Sequence, residues 1–413
     1  MAVFQAFKAL RPTSEKAAAV AALPYDVVNR EEARQIGEKN QLSFLHVDRA
    51  EMDLEPDIDL YDEGVYDKAR ENLQNMEKEG ILIQDDTPCY YIYELVRKGR
   101  TQSGIVGCSS IDDYMNGIVK KHELTREDKE QDRIHHVDSC NANTGPIFLA
   151  CRYPQSLLAL MEQWKAEHPA AYDFTEEDEV AHRVWVIDAP EVTAQICEEF
   201  AGIDSLYIAD GHHRAASAVK VGLKRREENP GFTGKEEFNF FLSVVFPYDQ
   251  LCIFPYNRVV KDLNGLTVKA FLGALKFNFE LMLMPGFPCK PVEKHCMGMY
   301  VDGQWYHLKA WQDVYDKKDV VEQLDVSILQ DKVLSPVLGI KDPRTDQRIS
   351  FVGGNHKATE LARMADQTGG VAFVMYPTSM VDLMQIADEG RLMPPKSTWF
   401  EPKLRSGLFI HKL

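Results

Sequence analysis

The sequence lacks the short motifs that mark the most common enzyme classes. It has no P-loop, no GxGxxG dinucleotide fingerprint, no GxSxG nucleophile elbow and no HExxH zinc pair. The sequence therefore disfavours a conventional NTPase, dehydrogenase, hydrolase or metalloprotease. The 12 histidines include the adjacent pairs His135-His136 and His212-His213. Because neighbouring side chains on a helix or strand point apart, these pairs do not predict a structural zinc site.

Other missing features bear on the cellular compartment of the protein and on membrane insertion. The eight cysteines include no CxxC pair, which is typical of reduced thiols and not of a disulfide framework or a zinc ribbon. No apolar run approaches the roughly 18 residues of a membrane span. Residues 1–10 also lack the basic stretch and apolar core of a signal peptide. We therefore expect a cytoplasmic protein without a membrane partner.

Basic residues are fewer than acidic ones. The sequence has 47 Lys and Arg residues and 64 Asp and Glu residues, which gives a net charge of −17. A nucleic-acid backbone is therefore not an expected partner, although a small anion in a locally basic pocket is compatible with this balance. The 413 residues, 45% of them hydrophobic, suffice for two or three domains of ~100–200 residues each. The oligomeric state stays open.

The most informative stretch runs from Leu206 to Val219. Its apolar start predicts a short buried strand, Asp210-Gly211 a turn, and the alanine-rich continuation a helix. Free N–H groups at such a helix start, with the helix dipole, favour an anion such as a phosphate. Arg214 adds a charged fork that matches phosphate oxygens. Asp210 is a candidate for holding a divalent cation or accepting a hydroxyl proton; alternatively, it only caps the helix. The predicted phosphate-binding turn thus comprises Gly211, His212, His213 and Arg214.

A second polar stretch runs from Lys120 to Arg133, where only Leu124 is apolar. A buried helix is therefore not expected over most of it. Two interpretations are evenly matched. One is a solvated helix held by salt bridges, and the other is the polar wall of a cleft, with His122 and Glu123 as acid–base candidates.

The remaining patterns predict an α/β protein with a mixed sheet. Residues 90–111 predict a hairpin, 239–246 a central strand and 44–47 a further strand. Residues 349–352 predict a strand that leads through Gly353 and Gly354 into a helix. This junction is a second candidate anion site, although such glycines commonly serve chain geometry alone. The predicted division is an N-terminal segment packing on the core (1–85), the core with the phosphate-binding turn (86–256) and a C-terminal α/β region (257–413).

Five motifs, in order along nearly the whole chain, resemble those of a large prokaryotic family described as a domain of unknown function. They are Pro24-Tyr25-Asp26, Lys121-His122-Glu123-Leu124-Thr125, Asn143-Thr144-Gly145-Pro146, Asp210-Gly211-His212-His213-Arg214 and Met393-Pro394-Pro395-Lys396-Ser397-Thr398. The fourth motif also resembles the nucleotide-phosphate motif of the ParB/sulfiredoxin-like fold. Proteins with that fold include free L-serine kinases.

The resemblance implies a ParB/sulfiredoxin-like nucleotide-binding core with N- and C-terminal extensions. It implies transfer of a phosphoryl group from ATP or ADP, with Mg²⁺, to the hydroxyl of free L-serine. Glu123 would be the general base, with Lys121 or His122 neutralising developing charge, and Asp210 would hold the metal or orient the hydroxyl. The second anion or substrate site would draw on Thr125, Asn143, Thr144, Gly353 and Gly354. The alternatives are a non-catalytic nucleotide-binding regulator and a phosphatase that uses His212 or His213 as the phosphoryl acceptor.

Overall fold

A computed structural model describes all 413 residues and divides the chain into two compact units. The first unit comprises Met1–Lys121, Thr125–Leu251 and Pro402–Leu413, and the second comprises His122–Leu124 and Cys252–Glu401. None of the helices has both the length and the apolar character needed to cross a membrane.

Thirteen α-helices are distributed over the two units. They are α1 (Ala17–Val20), α2 (Arg30–Lys39), α3 (Leu45–Asp48), α4 (Glu63–Lys78), α5 (Ile111–Met115), α6 (Glu127–Cys140), α7 (Gln155–Glu167), α8 (Pro190–Ala201), α9 (His212–Glu228), α10 (Val268–Leu275), α11 (Asp325–Leu329), α12 (Ala358–Asp366) and α13 (Met380–Asp388). Local sequence explains where some of these helices begin. The side chain of Asn29 accepts from the backbone of Glu32, whose carboxylate accepts in return, so a capping box starts α2.

Twenty-one strands form the sheets. They are β1 (Phe4–Gln5), β2 (Leu10–Pro12), β3 (Leu82–Gln84), β4 (Tyr90–Arg97), β5 (Arg100–Ser110), β6 (Val119–Lys120), β7 (Ala142–Asn143), β8 (Ile147–Cys151), β9 (Tyr172–Thr175), β10 (Ala181–Ile187), β11 (Leu206–Asp210), β12 (Phe240–Pro247), β13 (Ile253–Phe254), β14 (Tyr256–Val260), β15 (Phe279–Met284), β16 (Cys296–Val301), β17 (Gln304–Ala310), β18 (Ile349–Gly353), β19 (Val371–Val374), β20 (Trp399–Phe400) and β21 (His411–Lys412).

The first unit is built on a nine-stranded mixed sheet of order β6-β11-β8-β12-β5-β4-β10-β9, with β1 added beside β5. The pairs β11–β6 and β12–β8 are parallel and the others are antiparallel. Every residue of β12 is buried, as its continuous apolar sequence predicts for a central strand. A large core cluster joins the sheet to α7, α8 and α9, and a second cluster lies among the N-terminal helices α2, α3 and α4.

The second unit contains a six-stranded antiparallel sheet of order β15-β17-β16-β19-β14-β18. The helix α12 packs on β14, β16 and β19, and the small core of this unit lies between them. A separate two-stranded pairing joins β13 to β20.

The predicted α/β class with a mixed sheet is confirmed, as are the hairpin of β4 and β5 and the strand–turn–helix of β11 and α9. The predicted strand over residues 44–47 is wrong, because the chain forms α3 there. A short apolar run does not distinguish a strand from one buried turn of helix.

Most of Lys120–Arg133 is not a buried helix, as expected, but the last residues of the stretch are an exception. Residues from Glu127 onward belong to α6, where Glu130, Asp132 and Arg133 are buried. Each is compensated by charge: Arg133 Nε donates to Asp132 Oδ2 at 2.9 Å, and Lys220 forms an ion pair with Glu130. Burial of charged groups is tolerated when they are paired in this way.

The two units divide the predicted C-terminal region, residues 257–413, in a way that the sequence did not indicate. The long segment of the second unit begins at Cys252, close to the predicted boundary, but Pro402–Leu413 belongs to the first unit. The reason is backbone pairing, since β21 pairs with β7, and Ile410 and Ser406 form bridges with Leu10 and Ala22.

Candidate functional site

The turn between β11 and α9 depends on Gly211. Its φ of 92° lies in the left-handed region that favours glycine. A Cβ atom at this position would also lie 3.2 Å from Nε and Nη2 of Arg214. The glycine therefore lets the backbone turn and lets the arginine side chain fold back over it.

The N-terminus of α9 is not capped by any side chain. Gly211 occupies the N-cap position of this 17-residue helix, so the interpretation of Asp210 as a helix cap is wrong. The first N–H groups of a helix have no partner within the helix, and the helix dipole adds partial positive charge there. With Arg214 folded over the turn, this arrangement suits an anion such as a phosphate.

Asp210 lies beside this helix start and is engaged on both oxygens. Its Oδ1 accepts from the backbone N of Gly211 and its Oδ2 from Lys403 Nζ, each at 2.8 Å. Burial raises the pKa of Asp210, but Lys403 and Arg214 outweigh that effect and hold the pKa well below its ordinary value. A break in the register of β11 and β8 between Ile208 and Asp210 reorients the end of the strand. Asp210 is thus a fixed carboxylate with a lysine counter-ion.

The same contacts decide how well Asp210 fits a magnesium ion. Mg²⁺ needs oxygen ligands in an octahedron at about 2.1 Å, whereas Lys403 holds Oδ2 of the carboxylate. An ion at that oxygen would have to displace a full positive charge. The donor set therefore does not fit a resident magnesium ion.

The motif Asn143-Thr144-Gly145-Pro146 meets the turn through Arg214, whose Nη1 donates to the carbonyl of Pro146 at 2.7 Å. A Cβ on Gly145 would lie 2.9 Å from Ser406 Oγ and 3.5 Å from that Nη1 atom. Asn143 Oδ1 accepts from the backbone of the central strand β12, and Thr144 Oγ1 donates to Oδ1 of the buried Asp48 at 2.7 Å. Two sequence motifs that are far apart in the chain thus form one structure.

His213 contacts the segment that follows the Lys121–Thr125 motif. The backbone N of Arg126 donates to His213 Nε2 at 3.0 Å, so the ring proton lies on Nδ1. Thr125 Oγ1 donates to Glu130 Oε2 at 2.6 Å, and His212 is buried. The hydrogen bond occupies the Nε2 atom of His213, which weighs against this nitrogen as a phosphoryl acceptor.

The other predicted acid–base residues are divided between the units. Lys121 belongs to the first unit, where its Nζ lies 5.5 Å from the centre of the Tyr114 ring. His122 and the half-buried Glu123 belong to the second unit. There the carbonyl of His122 accepts from Met393 N at 2.8 Å, and its Nε2 lies 3.4 Å from Thr398 Oγ1. Within the second unit, two of the five sequence motifs are therefore in contact.

The glycines of the predicted second anion site, Gly353 and Gly354, are explained by close packing. A Cβ on Gly353 would lie 2.7 Å from the Trp399 ring, and one on Gly354 would lie 2.6 Å from Pro255. Chain geometry alone accounts for both glycines.

In the second unit, the sequence reasoning missed a buried arginine. Arg258 is 3% exposed and donates to the carbonyls of Tyr256 and Lys396. No carboxylate of this unit forms an ion pair with it, and burial lowers its pKa to about 10. Lys403 was missed as well; it lies in the C-terminal segment Pro402–Leu413, and only tertiary structure brings it to Asp210.

Comparison with known proteins gives one family and several distant structures. The model of the family described as "Protein of unknown function (DUF1015)" matches residues 4–327. No curated protein shows a significant similarity to the chain.

The similar solved structures include a free serine kinase in complex with AMP, at 14% identity and a TM-score of 0.36, covering 77% of this chain and 92% of the other. A conserved hypothetical protein from Pyrococcus furiosus has 15% identity and a TM-score of 0.35, covering 76% and 96%. SbnI with a C-terminal truncation, from Staphylococcus aureus, has 11% identity and a TM-score of 0.37, covering 74% and 86%. At these values the similarities carry no argument about activity.

Proposed function

We propose that this chain, which belongs to the DUF1015 family, binds ATP or ADP at the turn from Asp210 to Arg214 and phosphorylates the hydroxyl of free L-serine. The observation that carries the proposal is the uncapped start of α9, with Arg214 folded over Gly211. The N–H groups at a helix start and a guanidinium fork are complementary to phosphate oxygens. The choice of L-serine comes from the resemblance of the sequence motifs.

In this reaction the serine Oγ attacks the terminal phosphorus of the nucleotide. A new O–P bond forms, the bond to the leaving phosphate breaks, and ADP or AMP departs with O-phosphoserine as the second product. Phosphoryl transfer depends mainly on positioning and on neutralising charge. Arg214 and the start of α9 supply positive potential. The general base in this proposal is Glu123, a role that the resemblance of the sequence motifs implies.

Lys403 has a further role in the proposal. Held by Asp210, its ammonium group stands beside the helix start and adds to the positive potential there. Mg²⁺ would enter with the phosphates of the nucleotide, and Asp210 would become its ligand only if Lys403 were displaced. His122 and Lys121 are proposed to neutralise developing charge, as the resemblance implies.

The test is mass spectrometry of the purified protein with a mixture of the twenty amino acids, Mg²⁺ and either ATP or ADP. We expect O-phosphoserine and the matching nucleotide product. Nucleotide binding without any phosphorylated amino acid would instead support the regulator alternative.

Calorimetry separates the binding site from the chemistry. Arg214→Ala should weaken nucleotide binding by about 1.5–3 kcal/mol, as expected for lost hydrogen bonds to a charged group. Arg225→Ala, near the other end of α9 and paired with Asp138, is the matched control and should bind as the wild type does. Equal affinities for both variants would exclude the turn as the nucleotide site.

A further inference from the structure

The strand β15 is an edge of the six-stranded sheet in the second unit, and its outer side has no backbone partner. It pairs only with β17, from Phe279 opposite Ala310 to Met284 opposite Trp305. Residues 279–284 make no other backbone hydrogen bond. An edge strand with a row of unpaired N–H and C=O groups is a template for pairing with another chain.

The usual protections of an exposed edge are missing from β15. Proteins protect such edges with lysine, with proline or with a β-bulge. The strand contains none of these, its register with β17 is unbroken, and Glu280 is its only charged residue. Met282 and Leu283, whose side chains point to opposite faces of the sheet, are 55% and 49% exposed. The edge is therefore apolar on both faces.

The segments that flank β15 carry the most exposed apolar side chains of the chain. Phe277 precedes the strand and is 84% exposed, and Phe287 and Val292 follow it at 75% and 86%. The only other large apolar residue above 70% is Met1, at the N-terminus. Single exposed apolar residues need no explanation, whereas a concentration of them marks an interaction surface.

The order of these residues fits a second copy of the same chain. Two β15 strands that pair antiparallel across a two-fold axis present the same surface to each other. Because the two strands run in opposite directions, Phe277 of one copy lies at the end of the pair where Phe287 of the other copy lies. The two-fold axis repeats this arrangement at the other end, so one surface provides both halves of the interface.

Local charge also favours a second copy. Residues 276–294 contain three lysines and two glutamates, a local net charge of +1, whereas the whole chain carries −17. A strongly acidic or basic partner would find no complementary patch here. An identical surface is not repelled, because charges beyond about 8–10 Å are largely screened in physiological salt. With Leu281 opposite Met282 of the other copy, Glu280 lies opposite Leu283, so no like charges face each other.

The exposed area is of the size that a stable dimer needs. A phenylalanine buries about 150–250 Å², so Phe277 and Phe287 together leave roughly 240–400 Å² uncovered on each copy. A specific interface buries about 1,200–2,000 Å² in total over both partners. The phenylalanines of two copies thus supply about half of the smallest such interface. Met282, Leu283 and the strand backbone add to it.

We propose that the chain forms a two-fold symmetric dimer in which the β15 edges of two copies pair antiparallel. This pairing joins two six-stranded sheets into one and covers the exposed phenylalanines. The inference is independent of the proposed nucleotide chemistry, because every residue that carries it belongs to the sheet of the second unit and its flanking segments.

The first test is sedimentation equilibrium of the purified full chain over a range of protein concentrations. We expect a particle of twice the chain mass that dissociates to a monomer on dilution. A monomer at every concentration would overturn the proposal. Open-ended assemblies larger than a dimer would overturn it as well, because a two-fold interface closes on itself.

A matched pair of variants locates the interface. Met282→Lys places two lysines beside each other at the centre of the strand pair, and like charges that face each other are strongly unfavourable. It should raise the dimer dissociation constant at least ~100-fold. The control is Met115→Lys on α5 of the first unit, where the methionine is 57% exposed and the dimer should be unaffected. Equal dissociation constants for the two variants would show that the interface is elsewhere.

Hydrogen exchange distinguishes strand pairing from loose apolar contact. The outward-facing amides of residues 279–284 should exchange more slowly in concentrated than in dilute wild-type protein, and Met282→Lys should lose this protection. A dimer whose β15 amides exchange equally fast at both concentrations would contradict the pairing. Phe287→Ser is a second variant, since this side chain lies in the loop after the strand and is exposed. It should also weaken the dimer, and circular dichroism checks that each variant is folded.

Discussion

Removal of the last twelve residues, Pro402–Leu413, is expected to unfold the first unit and not merely to trim it. This segment contributes four apolar side chains that are at most 4% exposed, namely Leu404, Leu408, Phe409 and Ile410. At about 1.5–3 kcal/mol for each fully buried side chain, their loss removes about 6–12 kcal/mol. A whole domain is typically stable by only about 5–15 kcal/mol. The truncated protein should therefore lack a stable fold.

Polar contacts of the same segment add to that loss. Arg405 is buried and forms ion pairs with Glu176 and Asp178, each at 2.6 Å. Without it, those two carboxylates lose their counter-ion.

The assay is thermal denaturation by circular dichroism of a chain that ends at Glu401, with Phe409→Ala as a milder version. Phe409→Ala should cost about 3–5 kcal/mol. The control is Lys412→Ala, since the Lys412–Glu77 pair is largely exposed and such pairs are worth at most about 1 kcal/mol. A truncated protein that is soluble and melts at the wild-type temperature would refute this reasoning.

Three further predictions concern individual carboxylates and their partners. Glu123→Gln keeps the size and should lower turnover by ~10²–10⁴-fold while calorimetry shows unchanged nucleotide affinity; a wild-type rate would exclude Glu123 as the base. Lys403→Met should lower the free energy of unfolding by on the order of 2 kcal/mol at pH 7. Because the folded-state pKa of Asp210 is depressed, this contribution is fully present above about pH 4. It is lost as pH falls from there towards the depressed pKa, so the melting temperatures of the two proteins should approach each other only in strong acid. Burial raises the pKa of Asp325 to about 7. The folded protein therefore loses stability as pH rises from about 4, the ordinary pKa of an aspartate, to about 7. Asp325→Asn should raise the melting temperature at pH 8 and have little effect at pH 4.

The strand, turn and helix around Asp210 could be predicted from sequence because each signal is local. An apolar run predicts β11, an Asp-Gly pair predicts the turn, and Ala215, Ala216 and Ala218 favour a helix that packs closely. The glycine requirement is local as well, since it follows from one φ angle and one side chain three residues away. The predicted role of the turn stays a prediction until binding is measured.

The partners of that turn could not be predicted, because they lie far away in the chain. Lys403 lies 193 residues after Asp210, and neither composition nor periodicity indicates which lysine pairs with which carboxylate. The same is true of the hydrogen bond between Thr144 and Asp48, which are 96 residues apart.

The polar stretch before Arg133 shows a second limit of sequence reasoning. Its composition is that of a solvated helix, yet Glu130, Asp132 and Arg133 are buried because each charge has a partner. Hydrophobic patterning does not detect a helix that is buried through ion pairs. The same residue types occur as buried, paired charges and as exposed ones, so only the tertiary structure distinguishes the two cases.

The local charge of the phosphate-binding turn differs in sign from that of the chain. Two cations, Lys403 and Arg214, flank a single carboxylate, Asp210, at the positive end of α9. Charges separated by more than a Debye length, about 8–10 Å, are largely screened in physiological salt. The net charge of −17 for the whole chain therefore does not cancel the field inside this turn. Because Lys403 comes from the C-terminal segment, that segment supplies one of the two cations of the site as well as part of the core. Even a truncated chain that kept its fold would then bind phosphate more weakly than the full chain.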